Sequence, residues 1–143
     1  MKVNGKIALV TGGSQGIGAE ICIELANHGA TVIALDMQPL TYENMNVHYK
    51  HLNVTDVEEI DTVVKEVLET YGEINILVNN AGITKDAMTR NMTDDMWNAV
   101  IDVNLKGVFN LTRRVGPHME TIGGGSIINI SSVVGVYGNI GQA

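Results

Sequence analysis

A chain of 143 residues is one domain's worth and can bury a real core, and 45% hydrophobic residues with both charge signs present is the composition of a globular protein. With 9 basic residues against 16 acidic ones the net charge is −7, which argues against a nucleic-acid backbone or an anionic membrane surface as main partner. Cys22 is the only cysteine, so an internal disulfide and a cysteine-based zinc site are excluded.

The first predicted element is a short apolar strand, Lys6–Thr11. It runs into Thr11-Gly12-Gly13-Ser14-Gln15-Gly16-Ile17-Gly18 and then into a helix expected over Gly16–His28, where Ile17, Ile21 and Leu25 recur four apart and Gly29 is placed to stop it. A strand that turns through glycines into a helix makes a phosphate cradle: the backbone comes close, and the helix start offers free N–H groups and a partial positive charge. Backbone amides hold phosphate without net positive charge, so an acidic chain is no obstacle. The glycine spacing is GxxxGxG, not the common GxGxxG. No Gly-Lys-Ser/Thr follows, which rejects a P-loop NTPase.

Thr31–Asp36 and Val47–Asn53 are the second and third strands. Thr55-Asp56-Val57-Glu58 has the form of a capping box opening a helix to about Tyr71, ended by Gly72. Ile74–Asn79 is the fourth strand and leads into Asn79-Asn80-Ala81-Gly82. A helix is expected from Asp94 with Thr93 as cap, and a second helical stretch over Val103–Thr121. After Gly123-Gly124-Gly125 comes a fifth strand, Ser126–Ile130.

Strands alternating with crossover helices give right-handed βαβ units and a parallel sheet, and the near-continuous apolar strands suit a sheet covered on both faces. No linker or repeat divides residues 1–143, so one domain is expected. No run reaches the roughly 18 apolar residues of a membrane helix, and a cytoplasmic protein with no membrane partner is expected. Ligands of such sheets bind at the carboxyl ends of the strands, where Thr11, Asp36, Asn53, Asn79 and Ser131 all fall. A carboxylate at Asp36 can accept hydrogen bonds from adenosine ribose hydroxyls and repels a 2′-phosphate. At about 4 Å that repulsion is ~1 kcal/mol in water and ~4 kcal/mol at an effective dielectric near 20, a tenfold to thousandfold discrimination. No cation in Met37-Gln38-Pro39-Leu40 offsets it. The small residues of Asn80-Ala81-Gly82 leave space for a flat ligand. Cys22 is expected as an inert core thiol, Met96 and Trp97 as core contacts, and Arg113-Arg114 as a solvated helix face or subunit contact. His28, His48, His51 and His118 are scattered, and no metal site is expected.

Taken together these segments resemble the short-chain dehydrogenase/reductase family. Its cofactor loop TGxxxGxG is matched by Thr11, Gly12, Gly16 and Gly18, and its NNAG motif by Asn79–Gly82. Its catalytic asparagine lies in a segment like Asp102–Gly107, pointing to Asn104, and its catalytic serine in one like Ile128–Ser132, pointing to Ser132. Leu52–Asp56, Asn80–Asp86 and Ser132–Gly135 with Gly138-Asn139 and Gly141-Gln142-Ala143 are similar to family members that reduce 3-oxoacyl thioesters on acyl carrier protein or coenzyme A.

The resemblance implies a doubly wound α/β domain of Rossmann type with strand order 3-2-1-4-5. It assigns nicotinamide-cofactor contacts to Gly12, Ser14, Gln15, Gly16, Ile17, Gly18, Asp36, Asn53, Val54, Asn80, Ala81 and Gly82, with Asn53 and Val54 bordering the adenine. Gln15 stands where NADPH-using members often carry arginine, so NAD(H) is favoured while NADP(H) stays open. Ser132 would hydrogen-bond the substrate carbonyl, and Asn104 would hold a water of the proton relay. The family's tyrosine general acid, with a lysine four residues later, falls thirteen positions after Ser132, just past Ala143; Tyr137 does not replace it. The expectation is therefore the front part of a homotetrameric reductase, its later strands and helices missing. A nucleotide-binding module without turnover, and a family member acting on another small alcohol or ketone, are the alternatives.

Overall fold

The computed structural model describes residues 3–142. Five parallel strands form one sheet in the order β3-β2-β1-β4-β5: β1 is Ile7–Thr11, β2 Thr31–Asp36, β3 Val47–His51, β4 Ile76–Asn79 and β5 Ser126–Asn129. The crossovers are α1 (Gly16–Asn27), α2 (Val57–Tyr71) and a long helical run of α3 (Asp94–Ile101), a π-helical turn (Asp102–Lys106) and α4 (Gly107–Thr121); a short α5 (Val134–Tyr137) follows β5. The expected fold and strand order are those observed.

Strand alternation sorts the core into two layers. Leu9, Ile33 and Leu77 point to one face and pack with Ile60 and Val67 of α2 and Leu111 and Val115 of α4. Ala8, Val10 and Ala34 point to the other and pack with Cys22 and Ala26 of α1. Small side chains on that second face let α1 lie close to the sheet; a Cβ at Gly13 would come within 2.9 Å of the Ala34 Cβ and 3.0 Å of the Cys22 Sγ. The register at the start of β4 is held by Asn75, whose Oδ1 accepts the Ile7 N–H at 2.8 Å in the interior.

Two local expectations are corrected. The cap of α2 is Asp56, which accepts the Glu59 N–H at 3.0 Å, and Glu59 rather than Glu58 reaches back, to the Asn53 N–H at 2.8 Å. Thr55 is drawn off the cap because its hydroxyl and N–H both find Asn53 Oδ1, at 2.9 and 3.0 Å. The two expected helices after β4 are one continuous run, joined through the π-helical turn, because Ile101 and Asp102 keep right-handed helical backbone. All four residues of the edge strand β5 are exposed, including Ile127 and Ile128. β3, the other edge, buries only Val47.

Candidate functional site

Parallel pairing puts the carboxyl ends of all five strands on one rim of the sheet. Thr11, Asp36 and Asn79 are the last residues of β1, β2 and β4, whereas Asn53 and Ser131 lie two residues past β3 and β5. The glycine loop is folded against this rim by close approach. Gly12 has φ +65°, and a Cβ on it would meet the Ala81 Cα and Asn80 Nδ2 at 3.0 Å. Gly18, in the first turn of α1, packs directly on the Gly12 carbonyl. Gly16 has φ +56° and open space where a Cβ would go, a bare backbone surface at the start of the helix.

Thr11 is a hub that sequence reasoning did not single out beyond its motif. Its hydroxyl accepts the N–H groups of Asn80 and Ala81, both at 3.0 Å, and so ties β1 to the turn after β4. Asn80 completes the tie by donating from Nδ2 to the carbonyls of Thr11 and Gly12, at 3.0 and 3.2 Å. Asn79, buried, donates to Asn129 Oδ1 and Thr112 Oγ1, joining β4, β5 and α4. Asp36 accepts the Ser14 N–H at 3.1 Å and the Gln38 N–H at 3.0 Å, so its carboxylate organises both the glycine loop and the loop after β2. That second loop straps back: Thr41 donates its N–H and hydroxyl to the Ser14 carbonyl, and Tyr42 donates its hydroxyl to the Gly13 carbonyl.

Two cavities open on the rim. The larger, about 470 Å³, is lined by residues that include Gly12, Gln15, Ile17, Gly18, Asp36, Asn53, Val54, Asn80, Ala81, Gly82 and Ile83. Ser14 and Gly16 lie off its wall; the Ser14 side chain is buried and donates to the Gln38 carbonyl at 2.6 Å. The smaller, about 210 Å³, shares Ile83 and is lined by Asn104 and Ser132, by the polar or charged Thr84, Lys85, Asp86 and Gln142, and by Met92, Trp97, Val100, Ile101, Val134 and Gly135. Sequence-predicted residues thus fall into two adjoining compartments that meet at Ile83.

The Asn104 amide is tied to the Ile83 backbone through both of its polar atoms. Its Oδ1 accepts the Ile83 N–H and its Nδ2 donates to the Ile83 carbonyl, both at 2.9 Å. It sits inside the π-helical turn, a distortion of helical bonding common at functional sites, and the Gly107 N–H closes that turn onto the Asp102 carbonyl. The side chain clamps the compartment boundary and keeps one further donor and one further acceptor position. Ser132 is exposed; its Oγ accepts the Val134 N–H at 3.2 Å, leaving its own proton to donate.

Other expectations resolve as follows. Cys22 is buried, and burial pushes its thiol from an ordinary 9.0 to about 11. Trp97, expected in the core, is 48% exposed and faces the smaller cavity, because α3 buries none of its residues fully. Arg114, expected on a solvated face, is mostly buried and pairs with Asp61 of α2, holding that carboxyl below its usual range through its hydrogen bond and charge. Arg113 stays exposed over the Phe109 ring. Among the described residues no group of three or more His, Cys, Asp or Glu could hold a metal, and no helix is long and apolar enough to cross a membrane.

A βαβ sheet with this order, a GxxxGxG loop on its rim and an asparagine in the helical run after β4 define a class. A family model described as short chain dehydrogenase matches residues 6–143, and the chain belongs to that family. It is similar to 3-oxoacyl-[acyl-carrier-protein] reductase FabG of Thermotoga maritima, 47% identical over 99% of this chain and 61% of the relative. The FabG of Staphylococcus aureus is 40% identical over 96% of this chain and 60% of the relative, and that of Salmonella typhimurium 44% identical over 100% and 61%. The chain therefore spans about three fifths of the length of these curated relatives.

Proposed function

We propose that the intact protein is a cytoplasmic oxidoreductase that reduces a 3-oxoacyl thioester, carried by acyl carrier protein or coenzyme A, to the 3-hydroxyacyl thioester with a nicotinamide cofactor. The observation that carries this reading is the meeting of the two cavities at Ile83, one lined by the glycine loop and Asp36, the other by Ser132. The names of the relatives supply the substrate class.

The larger cavity fits an extended dinucleotide in shape and donors. Residues Gln15, Gly16, Ile17 and Gly18 bring backbone N–H groups and the start of α1 toward a diphosphate, while Gly12 and Ser14, whose N–H groups bond the Leu35 carbonyl and the Asp36 carboxylate, shape the loop that presents them. Asp36 offers carboxylate oxygens to the adenosine ribose, Asn53 and Val54 border the adenine, and Asn80, Ala81 and Gly82 leave a flat slot toward Ile83. Bound there, the nicotinamide supplies the hydride. Asp36 carries negative charge where a 2′-phosphate would lie, and among the described residues the cavity wall includes no Lys or Arg, so NADH is favoured over NADPH. Ser132 donates to the substrate carbonyl oxygen and withdraws charge from it. Asn104 holds Ile83 at the boundary and, with its remaining donor and acceptor positions, holds a water of the proton relay. The tyrosine and lysine of the family complete the proton path in the whole protein. Leu105 and Phe109, 64% and 57% exposed on the helical run, support assembly into a homotetramer.

The test mixes intact protein, NADH or NADPH, and acetoacetyl-CoA, and follows loss of the reduced cofactor's absorbance. Turnover with preference for NADH is expected, and Ser132→Ala lowers kcat by about 10² or more while NADH affinity stays within a factor of about two. Tight NADH binding with no turnover in the intact protein would replace this reading with that of a nucleotide-binding module.

A further inference from the structure

We infer that Thr41 and Tyr42, on the loop between β2 and β3, are positioning residues for the dinucleotide: through the Ser14 and Gly13 carbonyls they fix which way the glycine-loop amides and the Asp36 carboxylate face. This rests on the reductase reading above and deepens it, by naming residues off the wall of the larger cavity that set cofactor affinity and ribose selectivity. Parallel strands are ordinarily joined by a crossover of a dozen or more residues, usually a helix. Here β2 and β3 are joined by ten, and residues 37–46 all lie outside helix and strand. The polar anchorage of this short loop is the glycine loop. Thr41 donates its N–H and its hydroxyl to the Ser14 carbonyl, at 3.1 and 2.7 Å, and Tyr42 donates its hydroxyl to the Gly13 carbonyl at 2.8 Å. Ser14 answers from its own hydroxyl to the Gln38 carbonyl at 2.6 Å.

The direction of these bonds gives the two residues their role. In a trans peptide the carbonyl and the following N–H point in opposite directions. Anchoring the Ser14 carbonyl with two donors turns the Gln15 N–H the other way, and Gln15 lines the cavity. Anchoring the Gly13 carbonyl turns the Ser14 N–H onto Asp36 Oδ2, which it meets at 3.1 Å. A relay of polar groups thus runs from the Tyr42 hydroxyl through one peptide to the Asp36 carboxylate, and each bond in such a chain polarises the next. That peptide is also seated on the sheet: a Cβ on Gly13 would lie 2.9 Å from the Ala34 Cβ and 3.0 Å from the Cys22 Sγ. Tyr42 is itself fixed, partly buried against the α1-side core. Burial, then the adjacent Cys22 thiol and the Asp36 charge, push its hydroxyl above the ordinary tyrosine range, so it keeps the proton it donates.

The test is calorimetric titration of the intact protein with NADH, NADPH and ADP-ribose, beside steady-state kinetics with acetoacetyl-CoA. Tyr42→Phe removes one hydroxyl and keeps the ring. It is expected to weaken NADH binding about fivefold and to narrow the NADH/NADPH preference by about the same factor, because Asp36 is no longer aimed. Thr41→Val is expected to weaken NADH, NADPH and ADP-ribose alike, each about fivefold, and Thr41→Ser, which keeps the hydroxyl, restores them. In these variants KM for the cofactor rises while kcat stays within a factor of about two, as expected when only ground-state positioning is lost. Val47→Ala is the control: it truncates a buried side chain at the far end of the same loop, so it lowers the urea midpoint and leaves the three affinities within about twofold. Affinities within about twofold of wild type in both Tyr42→Phe and Thr41→Val, or a loss in Val47→Ala as large as theirs, would overturn the inference and leave the reductase reading standing. Failure of the unaltered protein to bind any nicotinamide nucleotide would overturn both. If Thr41→Val does not fold, Tyr42→Phe and the control decide alone.

Discussion

Gly18→Ala puts the whole weight of one methyl group on the glycine loop. Gly18 has helical backbone, so the change carries no torsional penalty; the cost is contact. A Cβ there overlaps the Gly12 carbonyl oxygen outright and lies 2.6 Å from Asn80 Nδ2 and 2.8 Å from the Gly12 carbonyl carbon, well inside ordinary contact. Overpacking costs about 1–3 kcal/mol where side chains can give way. Here two of the three atoms are backbone, and moving Asn80 aside also breaks its bonds to the carbonyls of Thr11 and Gly12, at about 1 kcal/mol each. The expected loss is about 3–5 kcal/mol of stability, with nucleotide affinity lowered roughly tenfold or more as the loop shifts. Two other glycines calibrate it. Gly16→Ala meets nothing within 4 Å but keeps φ +56°, so it loses only about 1–2 kcal/mol. Gly116→Ala, inside α4 and equally open, gains up to about 1 kcal/mol from helix propensity. Urea unfolding at constant m-value, paired with NADH titration, measures all three. A Gly18→Ala protein within about 1 kcal/mol of Gly16→Ala, or one that binds NADH like wild type, would refute the packing argument.

Thr11→Val keeps the shape of the side chain but leaves the Asn80 and Ala81 N–H groups without their acceptor; a loss of about 2–4 kcal/mol is expected in denaturant melts, and a loss below 1 kcal/mol would remove Thr11 as the hub. Asp36→Ala should shrink the NADH/NADPH preference by about tenfold to a thousandfold, read as the ratio of kcat/KM values; an unchanged ratio takes Asp36 away from the ribose. Arg114 holds the Asp61 carboxyl below its ordinary value of 3.8, first through the hydrogen bond and then through charge. Because the folded value is the lower one, this tie contributes fully above about pH 4 and is lost as the pH falls through the depressed value. Asp61→Asn should therefore flatten the acid limb of a Tm-against-pH curve below about pH 4 and change little of its slope at neutral pH.

What could be read without coordinates was whatever is encoded within a few residues. The apolar run of β1, the alternation of strands with amphipathic helices, the Thr93 cap that accepts the Met96 N–H and the left-handed Gly72 that closes α2 all depend on neighbours close in the chain. The handedness of βαβ units then carries those elements to a parallel sheet with little freedom left. Even at this range the cap of α2 fell one residue from its expected place, since Asn53 competes for the Thr55 hydroxyl. The motif residues were legible as residue types, and their family resemblance named them, but their work was not. Thr11 meets Asn80 across 69 positions, Asn104 clamps Ile83 across 21, and Asp36 grips Ser14 across 22. Trp97 has the side chain of a core residue and the helical spacing of one, yet it faces a cavity. Arg114 has the look of a surface residue and is shielded against α2. Hydrogen bonding and burial are decided by which backbone segments meet in space. Spacing along the chain specifies the elements; only their packing onto one rim of the sheet determines which polar groups are satisfied by protein and which remain for a ligand.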